Sequence, residues 1–89
     1  MSEDFGTRVK SIVDTFAENL SIFSYFEYNL QMKDYGTFTT VKFSVKVDQM
    51  LKCFSRFNFR ISNEIEFLFF QETLKHFEDC ATNQIFDSN

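Results

Sequence analysis

The sequence predicts an α+β domain of two layers, an antiparallel sheet of three or four strands with helices packed on one face, and three observations predict it. Apolar residues near the start recur at three-and-four spacing, those in the middle alternate with polar ones, and those after Gln71 return to helical spacing. The elements then follow in the order helix, strand, strand, short helix, strand or strands, helix.

The first helix spans about residues 3 to 20. Phe5, Val9, Ile12, Val13, Phe16 and Leu20 form one stripe, with Arg8, Asp14 and Glu18 outside it, and Ser2 or Asp4 is placed to cap it. Next, Ile22, Phe26, Tyr28, Leu30 and Met32 alternate with Tyr25, Glu27, Asn29, Gln31 and Lys33, the period of a half-buried strand. A second strand carries Val41, Phe43, Val45 and Val47 on one face and Lys42, Ser44 and Lys46 on the other. Asp34-Tyr35-Gly36 supplies the turn between them. Parity restricts that turn. A three-residue loop would set Val41 and Phe43 against Asn29 and Glu27, whereas a four-residue loop, Asp34 to Thr37, sets apolar against apolar.

Asp48 is placed to cap a short helix with Met50, Leu51, Cys53, Phe54 and Phe57 on one side and Lys52 and Arg56 on the other. Residues 57 to 70 admit two forms. The alternation from Phe59 to Phe69 and the β preference of Ile and Phe favour strands, as a hairpin turning at Ser62-Asn63-Glu64 or as one continuous strand. The rival is a long helix capped at Ser62, since Phe67, Phe70, Leu74, Phe77, Ala81 and Ile85 also keep helical spacing. From Gln71 onward a helix is expected on either reading, with Leu74, Phe77, Cys80, Ala81 and Ile85 on its apolar arc.

A chain of 89 residues makes a single domain that buries roughly 60–65% of its unfolded surface. Fourteen Phe with no Trp and no Pro mean that rings supply the core volume. No apolar run reaches transmembrane length, and MSEDFGTRVK lacks the pattern of a secretory leader, so a cytoplasmic protein without a membrane partner is expected. Cys53 and Cys80 are too few for a disulfide framework, and the sequon Asn19-Leu20-Ser21 has no secretory context to give it meaning.

The net charge of −4 conceals a segregation. Residues 33 to 60 carry six basic and two acidic side chains, whereas both flanking segments are acidic. Such asymmetry speaks to association rather than to fold.

Catalytic chemistry has little to build on. His76 is the single histidine, and helical spacing sets Glu72 and Cys80 one turn either side of it, with Asp79 close by. A Cys–His nucleophile is disfavoured because nearby carboxylates raise a thiol's pKa, and a structural zinc site because no second ligand pair stands at finger spacing. Gly6 and Gly36 are the only glycines, too few for a phosphate-cradling loop. No cofactor is expected.

Two binding readings remain. On the strand reading, Phe23, Tyr25, Leu68 and Phe70 lie on the polar sheet face and would form an apolar patch rimmed by charge, the mark of a protein interface. The expected function is therefore a non-enzymatic protein-binding module, a regulator, inhibitor or assembly adaptor of a larger protein or a partner of its own copy. The alternative is nucleic-acid binding by Lys42, Lys46, Lys52, Arg56 and Arg60. Against it, Arg60 points away from Phe57, Phe59 and Ile61 on a strand, so cations and rings are expected on opposite faces.

Overall fold

The computed structural model describes residues 4–87, with side chains described through residue 83. Its first helix, α1 (Phe5–Leu20), opens at Asp4, whose carboxylate accepts hydrogen bonds from the Thr7 backbone N–H at 3.1 Å and from the Thr7 hydroxyl at 2.6 Å. Those bonds satisfy donors that a helix start leaves unpaired, and they hold the Asp4 carboxyl below the usual carboxylate range. Phe5, Val9, Val13, Phe16 and Leu20 are buried, the stripe expected from their spacing. Ser2, the other cap candidate, lies outside the described residues.

Three strands follow: β1 (Glu27–Asp34), β2 (Thr39–Lys46) and β3 (Phe54–Ile61), paired antiparallel in the order β1-β2-β3. Leu30 stands opposite Phe43 and Phe43 opposite Phe57, so apolar meets apolar across all three strands as parity requires. The first turn has four residues, Tyr35 to Phe38, one position later than expected. Asp34 anchors it by accepting from the Gly36 N–H at 2.8 Å, and Gly36 takes a positive φ of 86°.

The short helix after β2 is not formed. Asp48 caps a turn instead, its carboxylate accepting from Met50 N–H at 2.6 Å and its carbonyl from Leu51 N–H at 2.9 Å. Leu51 then adopts a left-handed φ of 63°, and the Val47 N–H bonds the Cys53 carbonyl at 3.0 Å to close the loop. Four apolar residues, Met50, Leu51, Cys53 and Phe54, interrupted by Lys52, are too few to nucleate a helix, while Ser55, Phe57, Phe59 and Ile61 alternate well enough to pair along the second edge of β2.

The strand reading of residues 62 to 70 is also corrected. The chain leaves the sheet at Ser62 and enters α2 (Glu64–Asp87), a single helix of 24 residues. Asn63 caps it, accepting from Glu66 N–H at 2.9 Å, and Glu66 reaches back to accept from Ser62 N–H at 3.0 Å. This reciprocal capping outweighs the β preference of the aromatic run. A helix also sets Phe67, Phe70, Leu74 and Ala81 on one buried stripe, which a fourth strand would split between two faces. Cys80 is exposed rather than part of that arc, and Ile85 lies outside the residues whose side chains are described.

The core lies between the helices and the sheet face bearing Val41, Phe43, Val45 and Ile61. Phe43, 1% exposed, is ringed by Phe16, Tyr28 and Phe57 at centroid distances of 5.6, 5.9 and 5.3 Å. The helices run side by side in the same direction, Phe5 against Phe67 at one end and Phe16 against Phe77 at the other. Arg8 joins them: its guanidinium lies 4.2 Å over the Phe67 ring and forks onto the Glu64 carboxylate, with the second bond at 3.0 Å. No described helix is long and apolar enough to cross a membrane.

Candidate functional site

Two surfaces stand out, one on each side of the molecule. The first is the outward side of α2. In Glu64-Ile65-Glu66-Phe67-Leu68-Phe69-Phe70 the helical period of 3.6 turns Phe67 and Phe70 inward and Ile65, Leu68 and Phe69 away from them. These three are 67%, 51% and 59% exposed. Beside Leu68 a groove of about 490 Å³ runs between the helices, floored by Ile12, Phe16 and Leu74 and edged by Glu72, Lys75 and Glu78.

This arrangement revises the expected patch of Phe23, Tyr25, Leu68 and Phe70. Phe70 is fully buried, edge-on to Phe59 at 5.6 Å, because residues 62 to 70 are helical and not pleated. Phe23 is half-buried against the core, and Tyr25 lies under the Lys46 ammonium at 5.1 Å. Leu68 alone of the four is exposed, and its neighbours there are Ile65 and Phe69. Helical spacing from an Asn63 cap was the signal that identifies those two.

The second surface is the outer face of the sheet. Its positions form four cross-strand rows: Lys33, Thr40 and Arg60; Gln31, Lys42 and Asn58; Asn29, Ser44 and Arg56; Glu27, Lys46 and Phe54. Lys42, Lys46, Arg56 and Arg60 are thus brought onto one face, joined by Lys33, while Lys52 sits in the turn before β3. Glu27 pairs with Lys46 at 2.9 Å, and this ammonium holds the Glu27 carboxyl below its ordinary pKa. Hydrogen bonding to Tyr25, then to Glu27, pushes the Lys46 pKa up. Here both groups stay charged near neutrality.

Rings share this face, contrary to the expected separation. Phe57, Phe59 and Ile61 do turn inward, but Phe54 turns outward with Arg56 at 5.6 Å, and the Arg60 guanidinium lies 4.0 Å over Phe38 in the first turn. Tyr35 stacks on Phe38 at 4.8 Å with Lys33 5.2 Å from its own ring centroid. Phe54 escaped notice because the expected helix assigned it to the core side.

No known protein family, curated protein or solved structure matches this chain. The residues themselves must therefore carry the functional reading.

Among groups able to do chemistry, Cys80 and His76 meet one turn apart on α2, Sγ to Nε2 at 3.6 Å, both on the exposed side. No third metal-ligating side chain joins them among the described residues. Cys53 is buried, and burial, with Asp48 nearby, pushes its thiol up and away from the reactive thiolate.

Proposed function

We propose that this protein is a non-enzymatic protein-binding module, a regulator, inhibitor or assembly adaptor, working in the cytoplasm through the exposed stripe of α2. The observation that carries this reading is the trio Ile65, Leu68 and Phe69, large apolar side chains held side by side in solvent on a rigid helix. Leaving side chains half to two-thirds wet forfeits about 1–2 kcal/mol apiece relative to full burial, so a partner that covers them gains that free energy. The groove beside Leu68 adds a concave apolar floor with charged edges, the shape that accepts one face of a partner's amphipathic helix. Keeping both cysteines as thiols suits a reducing compartment.

The second copy of the chain is the first partner to test, because its own α2 offers the required helix. Light scattering across a concentration series, at low and moderate salt, should show a salt-resistant dimer that the double change Leu68→Glu, Phe69→Glu converts to monomer. The same variant should keep its circular dichroism, since neither side chain is buried. A variant that unfolds would place the stripe in the core and sink the reading; a wild type that stays monomeric would confine it to binding other proteins.

A further inference from the structure

We propose that the open face of the sheet binds single-stranded nucleic acid, with phosphates on its cations and bases on the rings at its two ends. The inference is independent of the α2 stripe, which lies on the other side of the molecule.

The face is available because both helices pack against the opposite one. Lys33, Lys42, Arg56, Asn58 and Arg60 are all exposed. Among its four cross-strand rows stand five cations and one carboxylate, Glu27, in a chain whose net charge is −4. Glu66, held by Ser62, is the other carboxylate within the field of Arg60. A grid of positive charge on an acidic protein is complementary to a phosphate backbone, and the acidic α2 on the opposite side would repel that backbone.

Charge alone would suit any polyanion. Rings beside the charges make the face specific for unpaired bases. One cluster, Phe54 and Arg56 with Tyr25 and Lys46, stands at the row that ends β2. The other, Phe38 under Arg60 with Tyr35 stacked on it, stands at the row that begins β2. Six residues of strand separate the rows, about 20 Å at the usual rise. Sheet faces that carry RNA stack about two or three bases. Between the clusters, Asn29, Gln31 and Asn58 offer amide groups to base edges, and Lys42 lies at the centre of the floor. A duplex keeps its base faces stacked inside and has nothing to present to Phe54 or Tyr35.

The test is fluorescence anisotropy of a labelled oligo-dT and a labelled oligo-U against the full chain, titrated over a range of salt. Binding should weaken with salt on a log–log slope of about −2 to −3, from roughly 0.7 per neutralised phosphate on single strands. Lys42→Glu with Arg56→Glu should lower affinity more than tenfold and flatten that slope. Phe54→Ala should lower affinity by about tenfold with the slope unchanged, because it removes a stacking surface and no charge. Lys10→Glu, exposed on α1 and part of neither surface, should change nothing. The proposal is overturned by no binding at low salt, by equal sensitivity to Lys10, or by indifference to Phe54 together with equally tight binding of duplex DNA or heparin, which would mark the face as a plain polyanion site. Tight binding to phosphatidylserine vesicles with none to the oligonucleotides would overturn it as well.

Discussion

At the scale of single residues, two neighbours on α2 show how position outranks chemistry. Leu68 and Phe70 are both large and apolar, two residues apart, yet Leu68 is 51% exposed and Phe70 is 0%. Phe70 touches Phe57, Phe59 and Phe67, so truncating it leaves a void that a packed ring cluster cannot close. Phe70→Ser should therefore cost about 3 kcal/mol or more, whereas Leu68→Ser should stay within about 0.5 kcal/mol. Urea unfolding at constant slope measures both, and equal losses would show that the two sites share one environment. Composition marks neither residue, since the distinction is one of helical phase.

At the scale of elements, the misread segments are those where two periods fit the same short apolar run. Met50, Leu51, Cys53 and Phe54 satisfy a helical stripe and, from Phe54 on, a strand. Only the edge of β2, waiting for partners for its N–H and C=O groups, decides between them. The price of the chosen path falls on Leu51, a γ-branched residue at φ 63° and 57% exposed. Left-handed backbone costs a residue with a Cβ about 1–2 kcal/mol, and the extra freedom of glycine in the unfolded chain returns about 0.4–1 kcal/mol of that. Leu51→Gly should then stabilise the protein by about 0.5–1 kcal/mol, read as a raised urea midpoint; a lowered midpoint would mean that Leu51 contributes packing its exposure conceals. In residues 62 to 70, by contrast, the deciding signal was present: Asn63 and Glu66 stand at cap spacing, and they prevail over the strand preference of Ile and Phe.

At the scale of the molecule, charge is unevenly distributed: the outer sheet face carries five cations against Glu27, α2 is strongly acidic, and α1 is balanced. Asp4, Glu27, Glu64 and Glu66 each have a pKa depressed in the fold, by Thr7, Lys46, Arg8 and Ser62 respectively. A depressed carboxyl contributes stability that is present above the unfolded value, about 4, and is lost as pH falls through the folded value. Stability should thus hold from neutrality down to about pH 4.5 and decline below it. Glu66→Gln should be less stable than wild type at pH 7, and the gap should close in acid, where the wild-type carboxyl is protonated too. Thermal unfolding of both proteins across that range tests this, and a gap independent of pH would assign the role of Glu66 to shape and not to charge. Because Asp4, Glu27 and Glu64 are exposed and Glu66 is only half-buried, salt should narrow the effect.

The amino-acid sequence by itself determined α1 with its buried stripe, the antiparallel pairing of β1 with β2 and its parity, the inward turn of Phe57, Phe59 and Ile61, and the α+β class. Each of these follows from a period of 3.6 or 2.0 sustained over several residues, which local spacing encodes directly. The tertiary structure alone decided that Phe54 joins β3 and faces outward instead of entering a short helix. It also gathered Lys33, Lys42, Lys46, Arg56 and Arg60 with Phe54 and Phe38 on one uncovered face. Those outcomes depend on the open edge of β2 and on which side of the sheet two distant helices cover, a competition that no single segment contains.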